Sequence, residues 1–263
     1  MSTSSGPDIV ASDRLVLNLD ASDINSYPRA GTTWYDLSPY QNHGTLTNGP
    51  SHGWTQQNGN HYIDFDGSND YVDFGNDSSL SGLNDDAINT AQQLSLEVVI
   101  DAHTQNSAAC IMGMASFQSS TDEYNMNIGG SSNNRFGGTI RLTSGNTRTY
   151  YAGDDGDTPI NTTQGNYQHV VLTADETNGM YVYVNSVLAP DEQNSNGSLS
   201  TILGGHNNET NDFRIGNLSF GSNLNGGYSL NGRIAIARVY NKSLTAAEIK
   251  QNFEVQRARF NIT

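Results

Sequence analysis

The chain has 263 residues, with 12 Lys and Arg against 27 Asp and Glu, a formal net charge of −15. That balance excludes a nucleic-acid backbone as partner, because such binding needs clustered cations. Only 15% of the residues are charged while Gly, Ser, Thr and Asn abound, which is a loop-rich β composition of a length suited to one large β domain.

Met1 to Ser12 is too polar to pack a core and reads as an N-terminal arm. It has neither a basic n-region nor an apolar h-region, so no signal peptide is expected, and no apolar run reaches membrane-spanning length. Leu15-Val-Leu-Asn-Leu19 alternates and predicts a first strand with its leucines inward. Gly31 to Pro50 is a polar, Gly- and Asn-rich loop built on Trp34. Tyr62 to Phe65 and Asp70 to Phe74 then predict a hairpin turning at Asp66-Gly67-Ser68-Asn69. Leu94 to Ile100 alternates at its start, which puts Glu97 at a solvent-facing strand position, and then turns fully apolar. Ala109 to Ala115 is a short buried run holding Cys110, a lone thiol that excludes an intrachain disulfide and reads as a small buried side chain.

Thr139 to Leu142 and Arg148 to Ala152 predict a strand pair joined by Ser144-Gly145-Asn146. Tyr167 to Thr173 and Met180 to Asn185 form the clearest hairpin, because Asn178-Gly179 between them tolerates the positive φ of a tight turn. Phe213 to Gly216 and Gly232 to Tyr240 close the sheet, and the second, apolar on both faces, belongs at its centre. Thr245-Ala-Ala-Glu248 is a capping box for one helix, with Leu244 and Ile249 as its hydrophobic staple and Ile249 and Phe253 on one face. Residues 256–263 read as a C-terminal tail whose Arg257 and Arg259 make the only basic patch. Two readings stand for that patch: cations favoured by the helix macrodipole, or a docking contact for a partner subunit.

These pieces arrive in a family order. Trp34-Tyr-Asp36-Leu-Ser38, Asn42-His-Gly44-Thr, Phe65-Asp-Gly67-Ser-Asn-Asp70-Tyr-Val72, Tyr167-Gln-His169-Val-Val, Tyr181-Val-Tyr-Val184-Asn185 and Gly232-Arg-Ile234 through Glu248-Ile resemble the laminin-G-like jelly rolls of the concanavalin A-like lectin/glucanase superfamily. The resemblance covers roughly residues 13 to 255 and implies an all-β, antiparallel jelly-roll sandwich with a short C-terminal helix. A narrower likeness lies in Leu15-Val-Leu-Asn-Leu-Asp20, Ser26-Tyr27-Pro28 and Leu244 to Phe253, which look like jelly-roll proteins of tailed bacteriophages. That likeness implies a non-enzymatic virion component in capsid decoration, tail or fibre. Such a protein is made in the host cytoplasm, is oligomeric with other virion subunits, and carries a surface able to meet cell-surface glycans. The alternative is a calcium-dependent carbohydrate-binding module of bacterial origin.

The resemblance also supplies a chemical test. The superfamily's glucanases place carboxylates at alternate positions of one strand, so that two of them flank a glycosidic bond. Glu97, Glu123, Glu176, Glu192, Glu209, Glu248 and Glu254 do not fall in that pattern, so no catalytic residue is assigned. If a cofactor is held it is Ca²⁺, and the resemblance points to Asp36, Asn42 and the turn at Asp66 as ligands. Asx-type turn capping is the competing role for both aspartates. Asp154-Asp155-Gly156-Asp157 is a second acidic loop, without EF-hand spacing. Glycan binding needs aromatic platforms on loops, and the candidates are Trp54, Tyr124, Tyr150, Tyr151 and Tyr228, with Trp34 an anchor of its own loop.

Overall fold

Alternating strands with one apolar face each must bury those faces against one another, and two sheets stacked face to face are the solution this chain adopts. The computed structural model describes residues 13–49, 60–81, 93–103, 105, 108–114, 124–129, 135–141, 147–152, 165–190, 212–218 and 228–263. In chain order the elements are β1 (Leu15–Asp20), β2 (Thr33–Trp34), β3 (Gly44–Thr47), β4 (Ile63–Asp66), β5 (Tyr71–Asp73), α1 (Ser78–Ser81), β6 (Gln93–Ala102) and β7 (Ala109–Met114). They continue with β8 (Tyr124–Gly129), β9 (Arg135–Arg141), β10 (Thr147–Tyr151), β11 (Gln168–Asp175), β12 (Gly179–Val184), β13 (Val187–Leu188), β14 (Phe213–Ile215), β15 (Asn231–Tyr240) and α2 (Ala246–Phe260). All pairings are antiparallel: a seven-stranded sheet in the order β1-β15-β6-β11-β12-β13 with β4 also on β15, and an eight-stranded sheet in the order β10-β9-β8-β7-β14-β5-β3-β2. This is the expected antiparallel sandwich with a C-terminal helix.

The core between the sheets takes Leu94, Leu96, Val98 and Ile100 from β6 and Met112, Met126, Ile128 and Ile140 from the facing sheet. The apolar strand Gly232 to Tyr240 is central, as expected, lying between β1 and β6. A bulge between Ile234 and Ile236 rephases it, so Ile234, Ala237 and Val239 face the core while Ala235 and Ile236 face outward. The β11–β12 hairpin closes with Asp175 opposite Gly179. Gly179 carries the positive φ of +97°, and the Asp175 carboxylate accepts from the backbone N–H groups of Thr177 and Asn178. β9 and β10 pair as expected, though their turn lies outside the described residues.

Three expectations are corrected. Residues 62–65 and 70–74 do not form a hairpin: β4 pairs with β15 in one sheet, β5 pairs with β3 and β14 in the other, and the Asp66-Gly67 turn carries the chain between sheets. Likewise β14 and β15 close different sheets. The expected tail from residue 256 is helical as far as Phe260, and Phe260 and Ile262 are buried with Val99, Tyr167, Ile236 and Phe253. The reason is the stripe Phe253 and Phe260, two turns apart, which continues the face begun at Ile249. α2 therefore lies as a third layer on the outer face of the seven-stranded sheet. The capping box is present, with Glu248 N–H donating to Thr245 Oγ1 and Thr245 N–H to the Glu248 carboxylate, and Leu244 packs with Ile249 in one cluster. Among the described residues no helix is long and apolar enough to cross a membrane.

Candidate functional site

The two outer faces of the sandwich differ in chemistry. On the seven-stranded sheet, β6 turns its leucines into the core, so Ser95, Glu97, Val99 and Asp101 point the other way. α2 covers them. Glu97, expected at a solvent-facing position, is fully buried. Its Oε1 accepts from Arg238 Nη1 at 2.8 Å and from His169 Nε2 at 2.9 Å, and its Oε2 accepts from Tyr240 Oη at 2.7 Å and Asn252 Nδ2 at 3.0 Å. Because a carboxylate only accepts, Nε2 carries the proton of His169. Burial pushes the Glu97 carboxyl up, but Arg238, His169 and Tyr240 outweigh it and hold the group down to about 2. With all four lone-pair positions engaged and no solvent access, Glu97 fits neither nucleophile nor acid. It clasps helix to sheet. The sequence hid this because alternation in β6 reads as half-exposed, whereas the cover comes from residues 155 positions later.

The loop after β2 is held by Asp36. Its Oδ1 accepts from the N–H groups of Asn18 and Ser38, each at 2.8 Å, and its Oδ2 from Ser38 Oγ at 2.6 Å and Asn42 N–H at 2.9 Å. Asn42 Nδ2 donates to the Val16 carbonyl at 3.0 Å and to Ser79 Oγ at 2.8 Å. Asp66 sits in a separate network, where its Oδ1 accepts from Ser68 and Asn69 N–H as an Asx-type turn. Asp36 and Asn42 thus come together and Asp66 does not join them. A carboxylate offers about four lone-pair sites, and Asp36 has given all of them to the chain, so Asp36 does not fit a calcium ligand. Among the described residues no group of three or more His, Cys, Asp or Glu is placed to hold a metal. The acidic loop from Asp154 to Asp157 lies outside the described residues.

The aromatic candidates divide. Trp54 lies outside the described residues. Tyr124 and Tyr150 are core residues, not loop platforms: both are buried between the sheets, with hydroxyls donating to the Leu80 carbonyl at 2.6 Å and the Ala189 carbonyl at 2.5 Å. The signal for Tyr124 was present in Tyr124-Asn-Met126-Asn-Ile128, whose alternation is β8 itself. Tyr151 and Tyr228 lie on the outer face of the eight-stranded sheet. Tyr228 packs on Cys110 and Leu218, and burial raises both its phenol and the Cys110 thiol above their ordinary values. Tyr151, half-buried, follows inward Tyr150 and so faces out, with its ring laid on the sheet. Only glycine beneath permits this, since a Cβ on Gly137 would fall 2.3 Å from Tyr151 Cδ1.

Polar groups share that face. Asn127 Nδ2 donates to Asn125 Oδ1 at 2.7 Å, while the buried Asn127 Oδ1 has no partner. The hydroxyls of Thr139 and Thr149 are 3.3 Å apart. Arg214, held by Asp73 and Asp212, each at 3.2 Å, lies 4.6 Å over the Tyr71 ring. Of the two expected docking cations, Arg259 is bonded to Asp20 of β1 at 2.8 and 3.1 Å and so ties α2 to the sheet. Arg257 is exposed and lies 3.5 Å from Glu254.

Residues 66–250 match the family described as the concanavalin A-like lectin/glucanases superfamily. No curated protein matches the sequence. Among solved structures, the binding domain of Paraclostridial mosquitocidal protein 1 matches at TM-score 0.64 and 12% identity over 92% of this chain and 52% of that one. The receptor-binding domain of botulinum neurotoxin type G matches at TM-score 0.57 and 14% identity over 93% and 52%. Trypanosoma rangeli sialidase in complex with the inhibitor DANA matches at TM-score 0.57 and 14% identity over 96% and 34%. The chain thus spans about half, or a third, of the structures it matches, and at these identities the likeness is one of fold.

Proposed function

We propose that this chain, which belongs to the concanavalin A-like lectin/glucanases superfamily, is a non-catalytic carbohydrate-recognition module. Its glycan rests on the outer face of the eight-stranded sheet. The observation that carries the reading is Tyr151, a half-buried ring laid over Gly137 on the same face as the partly exposed Thr139 and Thr149 hydroxyls. A sugar needs an apolar ring face to stack on and polar groups at its edge, and these residues supply both. The fold likeness to two binding domains supports the reading. A hydrolase of the superfamily's glucanase type would need a pair of carboxylates flanking the bond, and Glu97, the glutamate of β6, is sealed under α2.

The setting we propose for it is a virion, a reading supported by the narrower sequence likeness to phage jelly rolls. That setting rests on sequence alone, because Arg259, one of its two expected contacts, is held by Asp20. Mass spectrometry of purified particles from the parent genome tests it. For the recognition itself, a glycan array followed by calorimetry on Tyr151→Ala is decisive. The expected outcome is binding weakened about tenfold, ~1.4 kcal/mol, with the melting temperature unchanged. Equal binding by the variant removes the face from the account.

A further inference from the structure

Residues 30–50 contain a single charged side chain, Asp36, in a chain with 39 charged residues, and that one is buried. From Trp34 to Leu46 the side chains fall on two sides. Trp34, Asp36, Ser38, Asn42 and Leu46 are buried, while Tyr35, Leu37, Tyr40, Gln41 and His43 are exposed. The outward side is therefore aromatic and apolar, and it carries neither Asp, Glu, Lys nor Arg. We infer that this outward side is a second recognition surface, separate from the Tyr151 face, and that it takes a neutral saccharide.

Three features favour a ligand here over an incidental exposure. The backbone beneath is fixed: four donors on Asp36, the Asn42 bonds to Val16 and Ser79, and the reciprocal pair in which Tyr35 N–H donates to the Ser26 carbonyl and Ser26 Oγ to the Tyr35 carbonyl. A platform fixed in advance binds without the ordering cost of a mobile loop. His43 is also oriented, because its Nδ1 accepts from Asp36 N–H at 3.1 Å, so the neutral ring keeps its proton on Nε2. That leaves a donor beside the Tyr35 ring, whose centroid is 5.1 Å from that of His43 at 71°. With the Gln41 amide as donor and acceptor, the surface pairs aromatic rings with hydrogen-bonding groups.

Charge and size select the occupant. An uncharged surface on a protein of charge −15 offers no counterion to an anionic sugar. A stable protein partner needs about 800 Å² from each side. Here the large apolar groups are Tyr35, Leu37 and Tyr40, each 37–38% exposed, and Ile24 near Ser26. That suits one or two sugar rings better than a subunit.

Backbone-amide chemical-shift mapping of the full chain, titrated with cellohexaose, maltohexaose, mannohexaose and the anionic 3′-sialyllactose, tests the inference. At least one neutral probe should shift residues 35–43, and Tyr35→Ala/Tyr40→Ala should weaken that binding at least tenfold while Tyr151→Ala leaves it in place. If no neutral probe moves residues 35–43, or if the double variant binds as the parent does, the inference fails. Equal shifts from 3′-sialyllactose overturn the neutral class. Shifts confined to β8–β10 reject this surface and keep the Tyr151 face, and shifts confined to residues 35–43 do the reverse.

Discussion

The outer face of the seven-stranded sheet and the outer face of the eight-stranded sheet are built from the same alternating strands, yet one is sealed and the other is not. Beneath α2, the Glu97 carboxylate takes all its hydrogen bonds from Arg238, His169, Tyr240 and Asn252 in full burial, although His169 Nδ1 and Asn252 Oδ1 there have no partner. Across the sandwich, Tyr151, Thr139 and Thr149 are only partly buried. Polar groups sealed from solvent hold structure, whereas partly exposed ones can meet a ligand.

The largest test of this contrast is at the clasp. Arg238→Met leaves a buried carboxylate without its cation and should cost about 3–5 kcal/mol in urea unfolding. Glu97→Leu/Arg238→Met should cost less than Arg238→Met alone, because no charge is then stranded. A double variant as unstable as the sum of both singles would show that the charges are not acting as a pair.

Acid gives a smaller effect on the same face. The Glu97 carboxyl is depressed to about 2 from an ordinary 4.5, so its stabilisation is fully present above pH 4.5 and is lost as the pH falls from there toward 2. Melting curves across that window should drop in the parent and flatten in Glu97→Gln. A parallel drop in both would assign acid sensitivity elsewhere.

Smaller again is the helix cap. Thr245→Ala removes the acceptor for Glu248 N–H and should cost ~1 kcal/mol while leaving glycan binding untouched. Any loss of binding would mean the two faces are coupled. The smallest expected effect is nil. Excess chelator, added to protein prepared with calcium, should not move the melting temperature, because Asp36 has no lone pair left for a metal. A fall would return calcium to the fold.

What was legible in the sequence was local. The capping box at Thr245 and Glu248, the Asn178-Gly179 turn and the two-faced apolar strand at 232–240 all stand where their residues put them. What misled was partnering. An Asp66-Gly67 turn has the same chemistry whether the flanking strands pair or part, and here they part into different sheets. Glu97 and Tyr124 were each assigned to solvent or loop because the elements that cover them lie far along the chain. Of the glycan candidates, Tyr151 was legible by type, but its glycine bed at Gly137 was not, since the ring and the glycine meet only through the β9–β10 register. Tyr35 and Tyr40 gave no signal at all, hidden inside a loop whose inward residues carry the recognisable motif.

β15 joins β1, β4 and β6, and its Arg238 bonds Asn18 from 220 residues away. During synthesis, therefore, the strands that will flank it emerge first and wait with unpaired edges until β15, as far along as Tyr240, has left the ribosome. Such long-range closure makes folding slow and exposes the nascent chain to self-association. Yield in a heterologous host should thus respond more to growth temperature and holdase supply than to the stability of the finished sandwich.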